Sequence, residues 1–300
     1  QFKRNHKFMS IVKIYKRLFN SMKFIWKHPL IKTERLRAVI RYVRFHLKYR
    51  YGQECRIPFL NNFLIIIKGE GSQAHYFTYL SDFEEMLFLL HYLNEDDKFI
   101  DIGANIGTYS ILSATMVGCE TLSFEPSDQI FSLLEKNVII NNVESKINLY
   151  KYALGAENQS MMIGYKGAMT YITNNNKLDL QEIEVKRLDD FIDYGSLIKI
   201  DVEGYEEFVL EGAEKVLSNP KTGALIIELA SYNRYGSSNV RVHEALDKYG
   251  FFPIKYLPYK REFTKLKTYR KDQFNTIYIR DEKFTENRLI NSIKYNVGNQ

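Results

Sequence analysis

Cysteine is nearly absent from this 300-residue chain. Cys55 and Cys119 are too few and too far apart for a disulfide framework or a zinc site, so a reducing, cytoplasmic setting is the simple expectation. There is no His-Glu-x-x-His and no paired-cysteine motif, so no zinc ligand is expected, while clustered acids leave recruitment of Mg²⁺ open. No Gly-Lys-Ser/Thr occurs, which excludes a P-loop. No apolar run reaches the length of a membrane span, and no signal peptide is recognisable. Acidic residues are scarce at one end only. Residues 1–50 hold fifteen Lys and Arg and one acid, Glu34; the other 250 hold 27 basic and 35 acidic side chains. The net +6 is therefore +14 on the first segment and −8 on the rest. An enzyme of nucleic acids would spread basic charge over its catalytic body, so no nucleic-acid partner is expected. The first residue is Gln1 and not Met, as for a piece of a longer polypeptide.

Hydrophobic residues make up 45% of the chain, enough for a full core. Residues 9–50 read as two basic helices broken at Pro29, with apolar positions such as Ile14, Leu18, Ile25, Leu36, Ile40, Val43 and Leu47. The plain reading is a pair of helices packed on the body. The sharper one is peripheral contact with an anionic membrane surface. Short strands at 57–60 and 63–67 flank Asn61-Asn62, a hairpin signal. Ser81-Asp82-Phe83-Glu84 reads as a capping box opening a helix to Leu93. Strands near 97–102, 120–125, 147–152, 196–201 and 223–228 then alternate with helices near 106–117, 127–141, 204–217 and 239–249. That alternation predicts a parallel sheet covered on both faces. A meander interrupts it over 158–186, with a polar turn at Asn174-Asn175-Asn176. Segments 251–257 and 274–280 read as a closing antiparallel pair. The expected organisation is a basic helical segment over 1–50, one α/β domain over 51–283 and a loose polar tail over 284–300.

The most informative stretch is Phe99-Ile100-Asp101-Ile102-Gly103-Ala104-Asn105-Ile106-Gly107. A strand ends in an acid, breaks into a glycine turn and opens a helix, as a small-molecule cradle requires. Ligands in open α/β sheets lie beyond the carboxyl ends of the strands. Those ends carry Asp101, Glu125 of Phe124-Glu125-Pro126, Asp201 and Glu203 of Asp201-Val202-Glu203-Gly204, and Glu228. Glu125 stands where a ribose diol needs an acceptor. The spacing Gly103-x-x-x-Gly107 departs from the Gly-x-Gly-x-x-Gly of nicotinamide enzymes.

Over residues 57–281 these pieces resemble the FkbM family of S-adenosylmethionine-dependent methyltransferases. The likeness also rests on Ala153-Leu154-Gly155, Val185-Lys186-Arg187-Leu188-Asp189-Asp190, Ile198-Lys199-Ile200 and Asn275-Thr276-Ile277-Tyr278. It implies a Rossmann-like class I methyltransferase fold, α/β, with a seven-stranded, mostly parallel sheet whose last strand is antiparallel. It implies S-adenosylmethionine as cofactor, S-adenosylhomocysteine as product, and O-methylation of a sugar or polyketide hydroxyl. Gly103, Ala104, Asn105 and Gly107 would wrap the methionine end, with Asp101 holding its amino group and Glu84 reaching the same end. Glu125 and Pro126 would meet the ribose, and Ala153 and Leu154 the adenine edge. One departure stands out: where relatives carry a histidine after the third strand, this chain reads Ala168-Met169-Thr170-Tyr171-Ile172.

The expected activity is O-methylation of a hydroxyl on a glycan, a glycan precursor or another small acceptor. Asp201 or Glu203 would take its proton, and Asn233, Arg234 and Tyr235 would contact it. His243 reads as an exposed or packed histidine and not a catalytic one. The alternatives are a nicotinamide-dependent oxidoreductase and a non-catalytic module that kept the fold. N-methylation of bases is disfavoured because the fourth strand does not end in Asn-Pro-Pro-aromatic.

Overall fold

A computed structural model describes residues 18–69, 71–166, 169–172, 180–229, 235–295 and 297. The chain opens with helices α1 (18–27) and α2 (Arg35–Lys48), the hairpin β1 (Glu54–Phe59) and β2 (Asn62–Ile67), and helices α3 (Ala74–Thr78) and α4 (Phe83–Tyr92). Then come β3 (Lys98–Ile102), α5 (Thr108–Leu112), β4 (Glu120–Phe124), α6 (Asp128–Ile140) and β5 (Ile147–Tyr150). Strands β6 (Ala153–Leu154), β7 (Gln159–Lys166), β8 (Met169–Ile172) and β9 (Leu180–Lys186) form a small sheet of their own. The alternation resumes with β10 (Leu197–Ile200), α7 (Glu206–Glu211), α8 (Glu214–Ser218), β11 (Ala224–Glu228) and α9 (Asn239–Lys248). It closes with β12 (Phe252–Leu257), β13 (Glu262–Lys265), β14 (Asn275–Ile279) and α10 (Glu282–Asn291).

The main sheet runs β13-β12-β14-β11-β10-β3-β4-β5. Strands β5, β4, β3, β10 and β11 are mutually parallel, and β14 lies antiparallel between β11 and β12. This is the expected Rossmann-like sheet, with its switch point between β3 and β10. Both faces are covered, which is why the parallel strands read as unbroken apolar runs. Phe99, Leu197, Ile226 and Ile277 pack with α4 and the N-terminal helices. Ile100, Ile198, Leu225 and Ile227 pack with α7 and α9 on the other face.

Several local expectations change. The sheet has eight strands and not seven, because β12 turns back tightly to pair with β13. The hairpin turn is Leu60-Asn61, with Phe59 facing Asn62 and Leu60 in the left-handed region at φ 52°. The capping box does not form. The Ser81 hydroxyl turns to His75 and Asp82, and Asp82 makes no side-chain bond to the helix it precedes. The helix expected over 204–217 is two, broken at Gly212, whose Cβ would lie 1.9 Å from the Gly155 carbonyl oxygen. The tail is no loose segment: α10 buries Leu289, and Arg288 pairs with Asp97 and donates to the Tyr92 carbonyl at 2.8 Å. The N-terminal helices pack on the body through Ile25 of α1 and Ala38, Tyr42 and Phe45 of α2. Arg41 bonds the Phe77 carbonyl at 3.0 Å and pairs with Glu34. No described helix is long and apolar enough to cross a membrane.

Asp189 closes the break between α7 and α8. Its carboxylate accepts from the Lys215 and Val216 backbone N–H groups at 3.1 Å, at the start of α8. Replacing such a cap costs about 1 kcal/mol, so Asp189→Ala should lower Tm by roughly 2–4 °C. Differential scanning calorimetry checks this.

Candidate functional site

The carboxyl ends of β3, β4 and β10 and the β5–β6 connection border one cleft. Its floor is the glycine turn. Gly103 has φ 75°, and a Cβ there would sit 1.9 Å from the Asp201 carbonyl oxygen. Glycine at 103 is thus required by the close approach of β10. Asn105 also has a positive φ of 51°, and its side-chain oxygen accepts from the Ile106 N–H at 2.8 Å. Ile130, Leu154, Ile163 and Ile183 give the cleft apolar walls, and Tyr152, Pro126 and Ala153 border it.

Glu125 is 7% exposed and held from below. Oε1 accepts from the Ser127 N–H at 3.0 Å and Oε2 from the Asn105 N–H at 3.1 Å. Burial pushes its carboxyl up to about 7, against the pull of those two N–H groups. The geometry leaves it fixed in direction, with acceptor capacity to spare for a diol.

A charged system lies beside the cleft, on the sheet face that carries α4 and α5. Residues 199 and 201 are two apart on the strand line, and Asp101 is register partner of Lys199. Lys199 is 4% exposed and its Nζ sits 2.8 Å from Asp201 Oδ2. The same ammonium lies 4.8 Å from the Tyr109 ring centroid, and the Tyr109 hydroxyl donates to Asp82 Oδ2 at 3.0 Å. Burial pushes Asp201 up, but the Lys199 ammonium and hydrogen bonds from Lys199 and Glu228 outweigh it and the net shift is down. Glu228, at the end of β11, is driven the other way, up to about 9, by burial and then by the Asp201 charge. Two carboxyls thus divide one proton: Asp201 is ionised at neutral pH and Glu228 holds the hydrogen. Asp101 is fully buried. Its Oδ2 accepts from the Ser110 hydroxyl at 2.6 Å, while Oδ1 has no hydrogen-bond partner. Such an orphan beside a glycine turn suits a cationic amino group or a water.

Of the sequence-predicted residues, Gly103, Asn105, Glu125, Pro126, Ala153, Leu154, Asp201, Glu203 and Tyr235 line this one cleft. Asp101, Ala104 and Gly107 do not border it. A Cβ on Gly107 would lie 2.4 Å from Leu134, so helix packing explains that glycine. Glu84 is elsewhere, paired with Arg270 at 2.5 Å. Asn233 and Arg234 lie outside the described residues, as do the side chains of 168–172. His243 is packed, its Nδ1 3.1 Å from the Tyr278 hydroxyl. Lys199 went unnoticed in the sequence, although a lysine two residues before an acid in an apolar run was the signal.

A second cleft opens on the same sheet face. It is bordered by Asn20, Lys23 and Lys27 of α1, by Asp82 and Glu84, and by Asn275. Asn275 is the register partner of Glu228 across β11 and β14. Its side-chain oxygen is buried and without a partner.

A family model described as the methyltransferase FkbM domain matches residues 101–253. "Methyltransferase 1" of Beauveria bassiana is 30% identical over 149 residues, covering 40% of this chain and 59% of that protein. "Hexuronic acid methyltransferase AglP" of Haloferax volcanii is 26% identical over 144 residues, covering 44% of this chain and 56% of that one. The chain therefore spans under three fifths of the length of these two relatives. Among solved structures, M. jannaschii TYW2 in complex with AdoMet matches 78% of this chain and 89% of its own, at 14% identity and a TM-score of 0.42.

Glu228 links the site to stability. A carboxyl whose folded pKa is raised keeps a proton that the unfolded chain releases, so stability falls as pH climbs from the ordinary carboxylate range to about 9. Glu228→Gln, which retains a donor toward Asp201, should remove that slope. Its Tm advantage over wild type should be larger near about pH 8 than near about pH 5, by roughly 2–4 °C for each kcal/mol relieved. Thermal melts across that range check it.

Proposed function

The chain belongs to the FkbM methyltransferase family, and from that premise we propose that it methylates a hydroxyl oxygen of a sugar in a glycan or glycan precursor. Its cofactor is S-adenosylmethionine, which when bound supplies a methyl group on a cationic sulfur, already activated for in-line displacement. The residues of the cleft fit that group: an apolar slot for a purine and a carboxyl fixed by two backbone N–H groups for a ribose. In this reading Glu125 accepts from the ribose hydroxyls. Pro126, Ala153 and Leu154 flank the base, and Gly103 and Asn105 form the floor. Asp101, buried behind the glycine turn with one oxygen unpaired, serves the amino group through a water, with Ala104 and Gly107 holding the turn.

The observation that carries the proposal is the position of Asp201 at the border of the cleft, its carboxylate 2.8 Å from the buried Lys199 ammonium, which favours its ionised form. A neutral hydroxyl is a poor nucleophile, and Asp201 is the group that takes its proton. Alignment contributes up to about 7–11 kcal/mol, and a base a further 10²–10⁴-fold or so. Glu203, in the left-handed region at φ 55° and on the same wall, is the second candidate. The acceptor enters from the face that carries Asp201, Glu228 and Asn275, through the second cleft. Glu84 there sits among groups suited to sugar hydroxyls. Tyr235, edge-on to Tyr205 at 5.7 Å, guards the other side, with Asn233 and Arg234 as further acceptor contacts. The relative named for hexuronic acid supports a sugar acceptor.

Asp201→Asn should lower kcat about 10²–10⁴-fold while the Kd for S-adenosylhomocysteine stays within a few-fold of wild type. Glu203→Gln should cost less. Near-wild-type turnover in both variants, on a panel of saccharides, sinks the assignment. Separately, Glu125→Ala should weaken S-adenosylhomocysteine by about 1.5–3 kcal/mol, the range for a hydrogen bond to a charged group. Isothermal titration reads it, with NAD as the control ligand.

A further inference from the structure

Eighteen large apolar side chains are exposed among the described residues, and nine of them fall between Leu18 and Leu47. They are not scattered. On α2, Leu36, Ile40, Val43 and Leu47 recur at helical spacing, on the side opposite the buried Ala38, Tyr42 and Phe45. Leu47 is 82% exposed and Leu36 70%. On α1, Phe19, Met22 and Trp26 are exposed at helical spacing, flanked by the buried Ile25 on one side and by Lys23 and Lys27, which border the second cleft, on the other. The Arg35 guanidinium lies 5.2 Å from the Trp26 ring, so the two stripes meet where the helices join. Helix α2 therefore has two apolar faces, of which the fold uses one, and α1 adds an exposed apolar stripe beside its buried residue.

Charge says what covers the other. Residues 18–50 carry nine Lys and Arg and one acid, Glu34, which is already paired with Arg41. Arg37, Arg44 and Lys48 are exposed along the flank of the α2 stripe. The chain beyond residue 50 is net −8. A basic, apolar-faced pair of helices on an acidic body will turn toward an anionic plane, with the body held away from it. Cationic side chains can reach headgroups while their stems cover apolar surface, and a tryptophan favours the interface.

We propose that the exposed faces of α1 and α2 form a docking surface for an anionic lipid bilayer. The helices lie in the headgroup plane and do not cross it. This does not rest on the methyl-transfer reading. It also gives α1 two roles, because its other side borders the second cleft, which is then carried close to the membrane plane.

Co-sedimentation of the full chain with vesicles tests it. Phosphatidylcholine vesicles are compared with vesicles that also contain phosphatidylglycerol, at low and high salt. Wild type should prefer the anionic vesicles by about tenfold or more, and high salt should erase most of the preference. Arg37→Glu with Arg44→Glu should weaken binding roughly twenty-fold or more. Leu36→Ser, Ile40→Ser, Val43→Ser and Leu47→Ser combined should also release the protein. Both variants should keep the wild-type Tm and affinity for S-adenosylhomocysteine, since none of these side chains touches the core or the cleft. Equal sedimentation with neutral vesicles, no sedimentation at all, or unchanged binding by the folded variants overturns the proposal. So does self-association of wild type without vesicle binding, which would make a second copy the occupant.

Discussion

One buried ammonium organises the charge beside the cleft. Lys199 sits under the rim of the sheet between Asp101 and Asp201, with Glu228 one strand further on. A lysine taken out of water costs several kcal/mol unless it is paired, and three acids on one sheet face repel one another. The arrangement satisfies both: the Lys199 ammonium draws the Asp201 carboxyl down, burial and the Asp201 charge push Glu228 up, and the Ser110 hydroxyl donates to Asp101. The glycine turn follows from the same constraint. Only glycine at 103 lets β3 and β10 end close enough for the group to form. The site is thus electrostatically set before any ligand arrives.

That pre-set charge bears on the proposed role of Asp201 as base. A carboxylate that had to shed its proton and water at each turnover would waste alignment. Asp201 is already ionised and already oriented, and Tyr109 and Asp82 extend the network toward the second cleft. The two clefts lie on either side of the charged cluster, one suited to a nucleoside and one to a polar acceptor. The second cleft is bordered by α1, the helix whose outer surface is apolar. Recognition at the rim and docking at the surface would then be two uses of one short helix.

Much of this was legible in the sequence, and the reason is burial. A strand buried on both faces has little freedom in composition, so β3, β4, β10 and β11 stand out as apolar runs, and their polar ends stand out as a rim. Glu125, Asp201 and Glu203 could be read from that alone. The illegible parts depend on partners distant in the chain. Strand β13 exists only because β12 offers it an edge. Helix α10 is polar in sequence but anchored by Arg288 on Asp97, nearly two hundred residues earlier. Ser81 looks like a cap, yet His75 and Asp82 compete for its hydroxyl. Gly107 looks like a ligand contact, yet Leu134 explains it. The proton on Glu228 could not be read at all, because it arises from the sum of burial and the Asp201 charge.

The central claim is that Glu228 is a neutral acid at neutral pH, beside an ionised Asp201. Infrared difference spectroscopy of the carboxyl carbonyl stretch, wild type against Glu228→Gln, addresses it directly. The account predicts a protonated-carboxyl band in wild type at about pH 8 that the variant lacks and that fades as pH passes about 9. Identical spectra at that pH would show Glu228 already ionised and would contradict the account.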